Sequence, residues 1–217
     1  MNIRFPATSG RLSKIGGALA LAAGAALSLG SGAVSAQSVN FQGNTDGCFG
    51  MACAPVSGTT TLDGITYRDS TFNVTTVDGF IGVGGDPAVP NVNNLGSFSV
   101  SGTPFGYTGD RFELTVNFTA PPGTSPSSAV FTSLLRGSVI STDNGGVFFN
   151  FDNEPRNFTY ASGSFTLEVN DLSVTAGKTG AVSGNILVSA IPEPETYALM
   201  LAGLAAVGFM SRRRKKA

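Results

Sequence analysis

Residues 111–119, Arg-Phe-Glu-Leu-Thr-Val-Asn-Phe-Thr, alternate polar and apolar side chains without a break. Successive side chains of an extended strand point to opposite faces, so Phe112, Leu114, Val116 and Phe118 line one face while the polar set meets water. The pattern returns at 164–169, where Phe165, Leu167 and Val169 alternate with Ser164, Thr166 and Glu168. Beyond it, Leu172 and Val174 resume out of phase, and a bulge near Asn170 and Asp171 is expected to bring both sets to one core.

Shorter strand candidates cover 59–67, 71–77, 96–101, 129–141, 147–151, 157–160 and 184–189. Turn signals separate them: Asp63-Gly64, Asp78-Gly79, Gly84-Gly85-Asp86-Pro87, Pro121-Pro122-Gly123 and Asp143-Asn144-Gly145-Gly146. About nine short strands with a turn every ~8–15 residues, and no helical period, predict an all-β domain. An antiparallel β-sandwich or a jelly roll satisfies the pattern. The abundant phenylalanine is most simply core filling, since a buried ring removes ~150–250 Å² from water. An exposed aromatic platform for carbohydrate is the alternative use, although the chain contains no tryptophan.

The two ends differ from this polar centre and are set aside before the fold is considered. Residues 1–36 run from basic Arg4, Arg11 and Lys14 through the apolar stretch 15–29 to Ala33-Val34-Ser35-Ala36. That order is expected of a secretory signal peptide cut between Ala36 and Gln37. The five glycines at 16, 17, 24, 30 and 32 dilute the apolar run and weaken the competing reading, a permanent membrane helix. A domain over 37–190 follows, and its roughly 150 residues are enough for one sizeable core.

The remaining segment, 191–217, has three parts: Pro192-Glu193-Pro194, the apolar run 198–210, and the basic cluster Arg212, Arg213, Arg214, Lys215, Lys216. Two prolines around a glutamate keep their segment extended and accessible. The apolar run is short against the ~20 residues of an ordinary spanning helix. Flanking Thr196 and Ser211, with snorkelling basic side chains, extend it towards a transmembrane helix. The cations behind it place that terminus in the cytoplasm and the domain outside the inner membrane. At these residues the chain resembles the PEP-CTERM sorting signal of Gram-negative bacteria, which joins a Pro-Glu-Pro motif, a transmembrane helix and an Arg-rich end in this order. The resemblance implies recognition by an exosortase, a membrane cysteine enzyme that cuts near the motif and transfers the protein to a surface or matrix acceptor. Glu195 departs from the family, many members of which carry a small residue there, and this leaves the scissile bond open. The resemblance says nothing about the domain itself.

Between the two ends, five basic residues face twelve acidic ones, a balance of −7. Such a domain offers no basic face to the phosphates of nucleic acid. The chain has no histidine, which removes Ser-His-Asp and Cys-His hydrolases, His-ligated metals and a histidine base. A carboxylate-pair glycosidase needs only two acids across a sugar bond, and Glu113, Asp152, Glu154 and Glu168 are the candidates. Glu113 and Glu168 fall on polar strand faces, where a solvated acid is ordinary. The stretches 151–155 and 143–146 offer oxygen ligands of the kind that hold calcium. Neither matches an EF-hand or a nonapeptide repeat, so turn formation by Asn and Asp is the favoured account and bound calcium the alternative. Cys48 and Cys53, five residues apart in an exported chain, are expected to form a local disulfide.

These readings converge on an exported, noncatalytic surface or extracellular-matrix protein, without a cofactor, associated with biofilm or exopolysaccharide. Signal peptidase, the exosortase and, before processing, the inner membrane are the expected partners. A carbohydrate-binding module is the alternative, and a secreted glycosidase the weaker one.

Overall fold

The computed structural model describes residues 38–84, 93–190 and 200–208. All of the described residues belong to one compact unit, and residues 1–37 lie outside them. Fifteen strands, all paired antiparallel, make three sheets. The largest has the order β13-β10-β9-β8-β1-β4, built from β13 (Leu172–Thr175), β10 (Asn144–Phe151), β9 (Ser128–Ser141), β8 (Arg111–Ala120), β1 (Asn40–Phe49) and β4 (Thr71–Thr75). The two-residue β7 (Phe105–Gly106) joins it beside β9. One four-stranded sheet contains β11 (Arg156–Tyr160), β12 (Gly163–Val169), β15 (Gly184–Ala190) and β5 (Phe80–Val83) in that order. The other has the order β14-β6-β3-β2, from β14 (Thr179–Ala181), β6 (Ser97–Val100), β3 (Ile65–Arg68) and β2 (Thr59–Leu62).

Both small sheets cover the same face of the large one, and two aromatic clusters fill the space between. Under β6 and β3, Phe98 stacks on Phe149 at 3.8 Å and meets Phe112 at 4.8 Å, while Tyr67 meets Phe112 at 4.7 Å. Under β11 and β12, Phe165 packs on Phe41 at 4.7 Å and on Phe118 at 5.0 Å, and Phe158 packs on Phe118 at 4.9 Å. Each such pair adds about 0.5–1.5 kcal/mol beyond area burial. The ten-residue strands β1 and β8 run beneath both clusters and tie them into one core: Phe41 and Phe118 serve one, Phe49 and Phe112 the other. The result is an all-β sandwich of one large and two small sheets, not the paired four-stranded sheets of a jelly roll.

Three sequence expectations are corrected here. The strand count is fifteen among the described residues, not about nine. The run 59–67 is a hairpin, folded at Asp63 and Gly64, whose φ values of 41° and 88° suit a tight two-residue turn. Strand β1 carries no apolar alternation in its sequence because its inward positions include two glycines. A Cβ on Gly43 would lie 2.5 Å from the Phe72 ring and one on Gly47 2.5 Å from the Phe112 ring. Rings from neighbouring strands fill the space where an apolar side chain would otherwise reveal the alternation. Third, no bulge forms at Asn170 and Asp171. They are the corner at which the chain leaves β12 in a small sheet and enters β13 in the large one. Asn170 N–H donates to the Ser183 carbonyl at 2.9 Å, and its amide bonds Ser183 and Asn185. Asp171 Oδ1 accepts Phe151 N–H, on β10, at 2.8 Å. Each residue binds the sheet it adjoins, which is why the phase changes between them.

Of the expected transmembrane segment, only 200–208 is described, and it is helical. Nine residues span about 14 Å at ~1.5 Å each, and no helix among the described residues is long and apolar enough to cross a membrane.

Candidate functional site

Cys48 is held by β1, and the chain turns back through Gly50, Met51 and Ala52 to Cys53, which is disulfide-bonded to it with Cα atoms 6.0 Å apart. The loop is fastened to the end of β8: Ala52 N–H donates to Glu113 Oε1 at 2.8 Å, and Gly50 N–H to the Arg111 carbonyl at 2.9 Å. Met51 projects from its tip, 72% exposed. The sulfurs and a Glu113 oxygen lie within 4.8 Å of one another. A metal takes cysteine as thiolate, and here the two sulfurs bond each other, so the cluster is a stapled loop. The expected disulfide is present, and Glu113 anchors it.

The other candidate acids are dispersed. Glu168 lies on β12 of a small sheet and Glu113 on β8 of the large one, so the sandwich core separates them. Asp152 and Glu154 do come together, but on either side of Arg156, at 2.5 Å and 3.5 Å. That guanidinium also donates from Nε to the Val130 carbonyl at 3.3 Å and lies 5.1 Å from the centre of the Phe131 ring. The pair thus brackets a cation of the chain's own where a glycosidase would hold the sugar bond. The connection from β10 to β11, which crosses from the large sheet to a small one, is fastened by this contact. Asp152 Oδ1 is buried without a hydrogen-bond partner. In the other oxygen-rich stretch Asp143 pairs with Lys178 at 3.1 Å. Asp143 and Asn153 both take positive φ, 62° and 49°, as turn formers do.

The tail leaves the sandwich from an interior strand. β15 is bonded on one side to β12 and on the other to β5, and its last residue, Ala190, pairs with Gly163. The described chain begins at the same pole. Val39 exchanges bonds with Thr76 there, and Ser38, Val39, Ala120, Pro121, Tyr160 and Ser162 line a cleft of about 430 Å³. Tyr160 Oη is buried there without a partner, and burial raises its pKa. A cut beyond Ala190 therefore leaves every described strand in its sheet.

Pro192, Glu193 and Pro194, the basic residues Arg212, Arg213, Arg214, Lys215 and Lys216, and the expected cleavage pair Ala36 and Gln37 lie outside the described residues. Residues 190–215 match the family profile of the PEP-CTERM protein-sorting motif. The match begins at the last residue of β15 and takes in all three sorting residues. No curated protein and no solved structure matches the chain. The motif marks the chain as an exported protein sorted by an exosortase.

Proposed function

We propose that this chain is a noncatalytic surface or extracellular-matrix protein whose sandwich is the delivered cargo. The signal peptide over 1–36 directs export, and signal peptidase cuts between Ala36 and Gln37. A transmembrane helix within 191–217, stopped by Arg212–Lys216, then holds the sandwich outside the inner membrane. The exosortase reads Pro192, Glu193 and Pro194 and releases the domain to the surface or matrix, in the setting of biofilm or exopolysaccharide. The observation that carries this reading is the sorting motif beginning where the last interior strand ends. Processing there leaves a folded domain whose disulfide and aromatic core are intact.

The test follows a tag in the sandwich in a host that has the enzyme. Replacing Pro192, Glu193 and Pro194 with alanine should leave export unchanged while an unprocessed form accumulates in the inner membrane. Deleting Arg212–Lys216 should instead weaken retention. Mass spectrometry of the mature protein then reads both ends, and the N-terminus expected is Gln37. A motif variant processed and localised like the wild type would reduce the tail to a simple anchor.

A second reading, a carbohydrate-binding module, is favoured by one observation: Phe148 stands 38% exposed on the solvent face of the large sheet, directly across from Arg136.

A further inference from the structure

The domain holds five basic side chains against twelve acidic ones, so acids are abundant enough to neutralise every cation. Arg156 and Lys178 are paired in this way. Arg111 and Arg136 are not: among the described residues neither has an ion pair, although both are exposed. The sheet register brings them to one place. Arg111 on β8 stands opposite Leu134 on β9, and Leu134 opposite Asn150 on β10. One step along the same face, Arg136 stands opposite Phe148, and Phe148 opposite Ser173 on β13. All six point away from the aromatic core, because their immediate neighbours Phe112, Leu135, Phe149 and Val174 are buried in it.

Directly opposite side chains on one sheet face have Cβ atoms ~4.5–5.5 Å apart. Four strands at ~4.8 Å spacing give a patch about 14 Å across. Of the acids beside this face, Glu113 Oε1 accepts Ala52 N–H and Asp171 Oδ1 accepts Phe151 N–H. The patch lies towards the disulfide-loop end of β8, nine residues and about 30 Å along the strand from Ala120 at the pole where the tail leaves. A protein displayed by its tail presents this end outward.

We propose that this face binds a carboxylate-bearing polysaccharide. The ring of Phe148 offers a flat apolar surface to the C–H face of a sugar, and Asn150 and Ser173 offer hydrogen bonds to hydroxyls. Arg111 and Arg136 offer planar forks to uronate carboxylates. Long-range attraction is not the cause, since a domain of −7 repels a polyanion at a distance. The ligand must therefore combine charge with ring faces to gain from the contact, which separates an acidic polysaccharide from an acidic polypeptide. The inference deepens the carbohydrate-binding reading and depends on that one, whereas the sorting reading is tested separately by localisation in cells.

The experiment measures binding of the purified full chain in mild detergent to polygalacturonate, with neutral dextran and polyglutamate as comparison polymers. Polygalacturonate should bind, and high salt should weaken it. Dextran and polyglutamate should bind far less. Phe148→Ala, and Arg111→Gln with Arg136→Gln, should each weaken binding at least about tenfold, equivalent to ~1.4 kcal/mol. Arg68→Gln, on a small sheet of the opposite layer, should leave it unchanged, and circular dichroism verifies that every variant is folded. Polyglutamate binding as tightly as polygalacturonate would overturn the saccharide assignment in favour of an acidic polypeptide. Dextran binding as tightly would retain a carbohydrate module but remove the carboxylate from its ligand. Folded variants that bind polygalacturonate like the wild type, or a wild type that binds none of the three, would refute the site.

Discussion

Replacing Gly47 with alanine would place a methyl group 2.5 Å from Phe112 Cζ and 2.7 Å from two ring carbons of Tyr67. Neither ring has room to yield. Phe112 is fully buried beneath Phe98, and the Tyr67 hydroxyl is tied 3.0 Å from both Thr45 Oγ1 and the Leu95 carbonyl. Overpacking of this kind costs ~1–3 kcal/mol. The stiffer unfolded chain of an alanine variant offsets ~0.4–1 kcal/mol of that. A net loss of about 1–2 kcal/mol is expected, and at ~2–4 °C per kcal/mol for a domain this size the midpoint falls by about 2–8 °C. Gly106→Ala is the control, because a Cβ there meets nothing within 4 Å, so its midpoint should stay level or rise slightly. Thermal unfolding of the full chain by far-ultraviolet circular dichroism compares the two. If Gly47→Ala melts at or above Gly106→Ala, ring packing does not explain the glycines of β1.

Replacing Cys48 and Cys53 together with serine should cost ~2 kcal/mol, the loop-closure entropy of a short ring, read as a lower urea midpoint. Alkylation of denatured, unreduced wild type should find no free thiol. Glu113→Ala should cost about 1 kcal/mol through the unpaired Ala52 N–H, with Glu113→Gln retaining most of the stability; equal urea midpoints for the two variants would contradict the anchoring role. Tyr67, Tyr107 and Tyr160 all have raised pKa values, in each case chiefly through burial. Asp69 and Asp46 add to the effect at Tyr67, against the Thr45 hydrogen bond, while Asp63 and Asp110 add to it at Tyr107. The folded chain keeps protons that the unfolded chain releases above about pH 10, so this stability is complete below that pH and is lost as pH rises beyond it. Phenolate absorbance from these three should appear together with loss of β-sheet dichroism. Its reversible appearance near pH 10 in an intact sandwich would contradict the assigned burial.

Much of the protein was legible in local pattern. Alternation at 111–119 and 164–169 became β8 and most of β12, Asp63-Gly64 became a hairpin turn, and the close cysteines became a disulfide. The tail was legible because its three parts are contiguous and are read by chemistry rather than by fold. Each of these signals acts over a few residues, within the reach of a strand period, a turn or a short loop.

The rest depends on which residues meet across the chain, and local pattern carries no trace of that. Gly43 and Gly47 make sense only once Phe72, Phe112 and Tyr67 occupy the space their side chains would fill. Asn170 and Asp171 look like a bulge in one strand until their partners, Asn185 on β15 and Phe151 on β10, prove to belong to different sheets. Arg111, Arg136 and Phe148 are spread over 38 residues of sequence, and only the β8-β9-β10 register sets them side by side. The same register leaves Asp152 and Glu154 around Arg156 and keeps Glu113 from Glu168. Thus the sequence by itself determined that the chain makes strands, where it turns and by which end it is delivered. Tertiary structure alone decided which strands adjoin, because pairing is selected by side-chain complementarity between distant segments, and with it which charges are neutralised and which remain free for a ligand.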